Sequence, residues 1–366
     1  MFFRQMPGGR NIRVIVAMSG GVDSSTAAAL LVEQGYDVIG VTLKLWEQDS
    51  TSFAGDHFKC CGARAAADVR AVCRHLGIPF ELIDVADMFR RGVIEYFASE
   101  YRAGRTPNPC IMCNERVKFG VLFEHADRLG AQYVATGHYA RVEQANGRFM
   151  LKRGCDARRD QSYFLFTLTQ AQLARVMFPL GNQTKTDTRA AARARGLKTA
   201  DKKESREICF VPDADYGQFL RQENLVEMRP GDIVDLTGRV VGHHNGIAFY
   251  TIGQRKGLRI AAGKPLYVVD LDPERNRVVV GDATALERTE FVIERCNWIA
   301  FDEPPQQFDA IVKIRYNHPG TLATVEPLEP AKAKVRLKTP QRAVTPGQAA
   351  VFYQEDIVLG GGWITR

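Results

Sequence analysis

Ile12-Arg13-Val14-Ile15-Val16-Ala17-Met18 runs straight into Ser19-Gly20-Gly21-Val22-Asp23-Ser24-Ser25, and an Ala/Leu-rich stretch from Thr26 to Gln34 follows, ending at Gly35. The first run reads as a buried strand and the last as a helix with a glycine stop. Between them, two glycines let the backbone turn tightly, so consecutive N–H groups can point at one anion. Ser24 and Ser25 add hydroxyl donors, and the start of the helix adds partial positive charge. Asp23 falls in the first helical turn, where a carboxylate can cap the helix or help hold Mg2+ beside a pyrophosphate. The spacing, and the missing Gly-Lys-Ser/Thr ending, set this loop apart from a Walker A sequence.

Outward from the loop the alternation continues. Residues 37–45 predict a second strand, 65–76 a helix stopped by Gly77, 80–85 a third strand, 116–129 a helix and 132–136 a further strand. Strand and helix in turn predict an α/β domain built on a doubly wound parallel sheet, with ligands at the carboxyl ends of the strands. Past residue 215 the signals become short and β-rich, as in 232–235, 239–241, 267–270 and 277–280, punctuated by Pro230-Gly231, Thr237-Gly238 and Asp272-Pro273. They continue through 310–316 and 334–337. The expected organisation is a catalytic domain over 1–215, a small β-rich central domain over 216–288 and a β-barrel-like domain over 289–366.

The chain has 366 residues, 45% hydrophobic and 25% charged, with a formal net charge of +7. That length predicts more than one core, and the basic excess suits a polyanionic partner as well as an ordinary basic enzyme. The first ten residues are polar and Gly-rich, Val14 to Met18 is too short for a secretory h-region, and no stretch approaches the ~20 apolar residues of a membrane span. The expectation is a cytoplasmic protein without a membrane role, whose eight cysteines are reduced and open to chemistry.

Two cysteine contexts stand out. Thr106-Pro107-Asn108-Pro109-Cys110-Ile111-Met112-Cys113-Asn114 is a proline-stiffened turn that places Cys113 at the start of the 116–129 helix. The helix dipole, with Arg116 and Lys118 nearby, would lower the Cys113 pKa toward thiolate. A Cys-x-x-Cys is also half of a zinc site, although no second pair follows downstream. Cys209 lies in Ile208-Cys209-Phe210, after the basic run Asp201-Lys202-Lys203 and Glu204-Ser205-Arg206-Glu207; taken alone it reads first as a buried structural thiol. Cys60-Cys61 precedes a helix with no assigned role, and Cys73 sits on an apolar helix face.

The Ser19–Ser25 string resembles the PP-loop of the N-type ATP pyrophosphatases, adenine nucleotide alpha-hydrolase-like proteins that release pyrophosphate and leave AMP on a substrate. With it, in order, come the 106–114 turn, Ala135-Thr136-Gly137-His138-Tyr139, Asp160-Gln161-Ser162-Tyr163-Phe164-Leu165, Ile208-Cys209-Phe210, the 250–258 segment Tyr-Thr-Ile-Gly-Gln-Arg-Lys-Gly-Leu, and Ile314-Arg315-Tyr316. As an ordered set, from about residue 12 to the end, the chain resembles the bacterial tRNA-specific 2-thiouridylases.

That resemblance implies ATP with Mg2+ as cofactors, tRNA for Lys, Glu and Gln as substrate, and a sulfur-donor or relay protein as partner. Cys209 matches the persulfide carrier and Cys113 the nucleophile that attacks the persulfide or resolves it as a disulfide. The nucleotide site matches Ala17, Met18, Ser19, Gly20, Gly21, Val22, Asp23 and Ser24, with Leu43 and Gly137. Asn108, Pro109 and Cys110 match the segment around the target base. His138, Arg159, Asp160, Gln161, Arg315, Tyr316 and Gln348 match contacts to the anticodon stem-loop. Many members carry Asp where this chain has Cys110 and often Lys where it has Arg159, which leaves the proton-transfer role of that Asp open here. A rival reading gathers Cys110, Cys113 and Cys209 around a [4Fe-4S] cluster with one open iron. Two others are a PP-loop synthetase that uses ammonia and an RNA-binding module with a vestigial loop.

Overall fold

The structure is a computed structural model that describes residues 12–45, 63–202, 208–211, 215–260, 263–329 and 331–366; Cys60, Cys61 and the 203–207 stretch lie outside the described residues. The chain divides into two compact units. The first comprises the described residues of Met1–Val93, Cys110–Ala214 and Glu355–Val358, the second those of Ile94–Pro109, Asp215–Gln354 and Leu359–Arg366.

The first unit grows from β1 (Arg13–Ala17), whose Val14, Ile15 and Val16 are fully buried. It continues through α1 (Val22–Glu33), β2 (Asp37–Lys44), α2 (Ala63–Leu76), β3 (Phe80–Asp84) and α3 (Ala86–Phe89). After α4 (Glu95–Arg102), in the second unit, and α5 (Pro109–Met112), it resumes with a π-helical turn, Cys113–Lys118. Then come α6 (Phe119–Arg128), β4 (Tyr133–Thr136), a hairpin of β5 (Ala140–Ala145) and β6 (Arg148–Arg153), α7 (Gln170–Arg175), β7 (Val176–Met177) and α8 (Lys185–Ala194). Five parallel strands form the sheet in the order β3-β2-β1-β4-β7. Strand order reverses at β1, so the loop after β1 and the loop after β4 open onto the same switch point.

Small residues bring the helices close to this sheet. A Cβ at Gly40 on β2 would lie 2.5 Å from Cys73 Sγ and 2.9 Å from Met18 Sδ. Cys73 on α2 is therefore a core thiol, as its apolar position suggested, and burial pushes its pKa up to about 11. The helix expected over 116–129 is helical from Pro109 onward, and its first part is the π-helical turn rather than a new α-helix.

The second unit adds α9 (Tyr216–Gln222) and a four-stranded sheet of β8 (Gly231–Asp235), β9 (Val240–His244), β10 (Tyr267–Asp272) and β11 (Arg277–Gly281), ordered β10-β11-β8-β9. Its core is Ile233, Val268, Leu271, Val278 and Val280. Six further strands, β12 (Glu287–Trp298), β13 (Phe308–Lys313), β14 (Thr321–Glu329), β15 (Lys332–Arg342), β16 (Ala349–Gln354) and β17 (Ile357–Ile364), run β12-β15-β14-β13-β16-β17, and a β12–β17 pairing closes them into an antiparallel barrel. The strand expected to reach residue 316 stops at Lys313. There a turn takes over, in which His318 N donates to Arg315 O at 3.0 Å.

Candidate functional site

The loop after β1 is closed by its own hydrogen bonds. Gly20 has φ +71, a left-handed conformation with no Cβ to obstruct it, and a side chain there would press on Ala65 O at 3.0 Å. Ser19 N donates to Ser24 Oγ at 3.1 Å, while Ser24 and Ser25 Oγ donate back to Gly21 O at 3.3 and 2.9 Å. The serine hydroxyls thus shape the loop, and α1 begins at Val22 with Gly21 as its N-cap and no side-chain cap. An uncapped helix start of this kind can receive an anion.

Asp23 does not cap the helix. Lys185 Nζ donates to both of its carboxylate oxygens at 2.7 Å, and Tyr139 Oη donates to Oδ1 at 2.8 Å. Lys185 is nearly buried at the start of α8, a helix fixed by a reciprocal capping box between Thr184 and Asp187. A second lysine, Lys202, donates to Gly20 O at 3.0 Å and to Asp68 Oδ2 at 2.7 Å. The sequence reading assigned neither lysine; the Thr184-x-x-Asp187 capping pattern was the available cue for the first.

Across the switch point, Gly137 ends β4. A Cβ on it would sit 2.8 Å from Ser24 N and 2.9 Å from Asp23 C, so only glycine lets this strand end meet the first turn of α1. Ala17 and Met18 cap the other side, with Thr42 Oγ1 donating to Met18 O at 3.0 Å. Leu43 is buried in β2. His138 stacks beside Phe119 at 6.2 Å, meets Phe178 edge-on, and its Nδ1 lies 2.7 Å from Thr136 Oγ1. Burial, and next the charge of Lys118, push its pKa down to about 3, so the ring is neutral at physiological pH.

The two cysteines sit differently. Cys113 is buried in the π-helical turn, one full turn into a helical run that starts at Pro109. Its pKa is raised by burial, with Lys118 opposing more weakly. This corrects the lowered thiol expected from a helix amino end: the thiol is not at that end, and desolvation outweighs the lysine. Cys209 is half-buried in a turn closed by Val211 N to Ile208 O at 3.0 Å. Its neighbour Phe210 is buried against Phe89 of α3, rings 5.7 Å apart and edge-on. The π-helical turn of Cys113 also packs on α3. Both cysteine segments therefore rest on one short helix.

Asp160 and Gln161 face inward. Asp160 Oδ1 accepts from Gly154 N and Ser162 N at 3.2 and 3.0 Å, and Gln161 Oε1 accepts from Tyr139 N at 3.0 Å. The turn they hold passes its Phe164 carbonyl to Asn114 Nδ2 at 3.0 Å, next to Cys113. These two residues brace the helix of the buried cysteine, while Arg159 is half-exposed and Cys110 exposed.

In the second unit, Asn108 and Pro109 are buried, and Gln348 Nε2 donates to Thr106 O and Pro107 O at 3.0 and 3.2 Å. Thr106 N donates to Pro346 O at 2.8 Å, so Gln348 and its neighbours clasp the proline turn. Arg315 is exposed, and Lys313 Nζ lies 5.5 Å from the Tyr316 ring centroid. Arg255 and Lys256 are exposed on the 250–258 segment.

Among the described residues no three His, Cys, Asp or Glu side chains gather as a metal site. Cys110, Cys113 and Cys209 are all among the described residues and are not gathered there as a cluster site. Mg2+ asks less of the protein, since one carboxylate and substrate phosphates can hold it, and Asp23 meets that requirement.

Comparison with known proteins covers nearly the whole chain. The family described as "tRNA methyl transferase HUP domain" matches residues 12–213, its PRC-barrel domain residues 217–282, and "Aminomethyltransferase beta-barrel domain" residues 288–364. A protein of Carboxydothermus hydrogenoformans named tRNA-specific 2-thiouridylase MnmA is 50% identical over 356 residues, 97% of this chain and 98% of its own length. A Moorella thermoacetica protein of the same name is 51% identical over 352 residues, 96% and 98% of the two chains. One from Clostridium botulinum, strain Loch Maree, is 47% identical over 354 residues, 97% and 99%.

Proposed function

The chain belongs to the tRNA-specific 2-thiouridylase MnmA family, and from that premise we propose how its residues replace a uridine oxygen of tRNA with sulfur at the expense of ATP. The HUP description carries ATP use; the words "methyl transferase" in it name a different chemistry from that of the full-length relatives. A phosphate loop at the sheet's switch point suits the thiolase reading, because the C2 oxygen of uracil is a poor leaving group until adenylated.

In this reading the loop over Ser19–Ser24, opposite Gly137, takes the phosphates of ATP, and Asp23 contributes to Mg2+. The uridine oxygen attacks the α-phosphorus, pyrophosphate leaves, and the base carries AMP on C2. The outer sulfur of a persulfide on Cys209 attacks C2 and AMP departs with the original oxygen. The Cys113 thiol gives up its proton and its sulfur attacks Cys209 Sγ. The bond from Cys209 to the transferred sulfur breaks, leaving 2-thiouridine and a Cys113–Cys209 disulfide. The two thiols supply the two electrons that reduce the persulfide sulfur, and a thiol reductant resets them.

The packing of both cysteine segments onto α3, in the unit that holds the phosphate loop, is the observation that carries this reading. The wobble uridine of tRNA for Lys, Glu and Gln is the proposed target, and a cytoplasmic donor protein reloads the half-exposed Cys209. Arg315, Tyr316 and the Arg255-Lys256 segment are the proposed tRNA contacts. Incubation of protein preloaded with a persulfide on Cys209 with ATP, ammonium and unmodified tRNA tests the reading. We expect 2-thiouridine in the nuclease digest and tRNA-dependent pyrophosphate release. Ammonia consumption without sulfur incorporation, or no pyrophosphate at all, would contradict it.

A further inference from the structure

The turn that leads into Asn108, Pro109 and Cys110 is made of residues that cannot hold it by themselves. Pro107 and Pro109 have no N–H, so Thr106 and Asn108 are the only backbone donors between 106 and 109. Yet Pro107, Asn108 and Pro109 are buried, where backbone carbonyls need partners. The loop between β15 and β16 supplies them. Gln348, 242 residues from Thr106, donates from Nε2 to Thr106 O and Pro107 O at 3.0 and 3.2 Å, and Pro346 O takes Thr106 N at 2.8 Å.

The loop comes this near because Gly347 has no side chain. Its φ is +88, and a Cβ there would lie 3.0 Å from Arg105 Cβ and from Thr106 O, and 3.1 Å from Thr106 N. The loop is itself tied to β17: Gly347 N donates to Ile364 O at 2.9 Å, and Ile364 N to Gln348 O at 2.8 Å. On the other flank Arg105 Nε donates to Glu100 Oε2 of α4 at 2.8 Å. The proline turn is thus gripped between α4 and the barrel loop. Both amide hydrogens of Gln348 are spent inside the chain, which leaves only Oε1 for a partner outside it.

We infer that Gly347 and Gln348 are positioning residues for thiolation: the barrel loop fixes the Thr106 and Pro107 carbonyls, and through them aims Asn108 and Pro109 at the uracil. Gln348 acts through the proline turn and not by gripping RNA, although by position it matches an RNA contact. This rests on the thiolase reading above, with Asn108 and Pro109 matching the segment around the target base, and it gives the barrel a part in the chemical step.

The two roles separate in the rate at saturating tRNA and the affinity for tRNA, measured on the full chain. Gln348→Met keeps the length of the side chain and removes both donors. In a single turnover with persulfide-loaded protein it should slow thiolation about tenfold or more at saturating tRNA. The tRNA Kd from filter binding should stay within about threefold, and its salt dependence should not change. Gly347→Ala, which alters no side chain that could reach RNA, should reproduce the same split, and Gln348→Lys, which restores an N–H donor, should recover most of the rate. A rise in Kd with the wild-type rate restored by saturating tRNA would overturn the inference and make Gln348 an RNA contact. Wild-type rate and Kd in Gln348→Met would overturn it too, by showing the clasp to be idle. If Gly347→Ala melts below the assay temperature, Gln348→Met and its recovery in Gln348→Lys decide alone. Failure of the wild-type chain to form 2-thiouridine would instead sink the thiolase reading itself.

Discussion

Cys113 and Cys209 rest on the same short helix but live in opposite surroundings. Cys113 is buried within a continuous helical run, its thiol held protonated by desolvation. Cys209 is half-buried in a four-residue turn whose apolar neighbours, Phe210 and Val211, face the core. The difference fits a division of labour: a thiol that must receive sulfur from outside needs access, and one that acts only at the last step gains by staying protonated until then.

The most forceful way to break this comparison is to remove each thiol separately. Cys113→Ser and Cys209→Ser should each cut tRNA thiolation on the order of a thousandfold or more, as loss of a nucleophile does. Only Cys209→Ser should abolish persulfide labelling of the protein. If Cys113→Ser alone lost the persulfide, the roles would be reversed.

Next in size is the anchor. Phe210→Ala removes the ring packed on Phe89, and a buried Phe-to-Ala change costs about 3–5 kcal/mol. Chemical denaturation of the variant should show a loss near the lower figure, since the ring serves a turn, together with slower thiolation and unchanged ATP binding. A fully active, fully stable variant would mean that the turn does not depend on α3.

Residue-resolved alkylation sharpens the contrast. At pH 7.5 iodoacetamide should modify Cys209 about tenfold faster than Cys113. Because the Cys113 pKa lies above its ordinary value, its own rate should keep rising as pH increases past 9.0. A Cys113 rate that levels off near neutrality would show a thiolate that burial is not suppressing.

The smallest effect concerns His138. Its folded pKa, about 3, lies below the ordinary 6.5, so the neutral ring contributes stability that is complete above 6.5 and is lost as pH falls from there toward 3. Denaturation midpoints of His138→Asn should decline less over that window than those of the parent chain.

Much of this was legible in the sequence. The 12–34 stretch predicts the strand, loop and helix found as β1, the 19–21 turn and α1, because apolar periodicity and glycine placement are local signals. Gly137 reads in the sequence as a place where a ligand can approach the backbone, and in the fold it is the Ser24 amide that lies against it. What stayed hidden depends on distant partners. Lys185 meets Asp23 across 162 residues, and no local pattern announces that pairing. Asp160, Gln161 and Gln348 matched RNA contacts by position, whereas their side chains brace the chain internally. The lowered Cys113 pKa expected from the sequence does not hold because the helix was expected to begin after Cys113, whereas helical structure begins at Pro109.

The central claim is that sulfur passes through Cys209 to the tRNA with Cys113 completing the exchange. A single turnover with protein carrying 35S as a persulfide on Cys209, mixed with ATP and unmodified tRNA, measures that directly. The account predicts one labelled sulfur in 2-thiouridine per persulfide consumed, with a Cys113–Cys209 disulfide appearing at the same rate. Label that reaches the tRNA without ATP, or without loss of the two thiols, would contradict it.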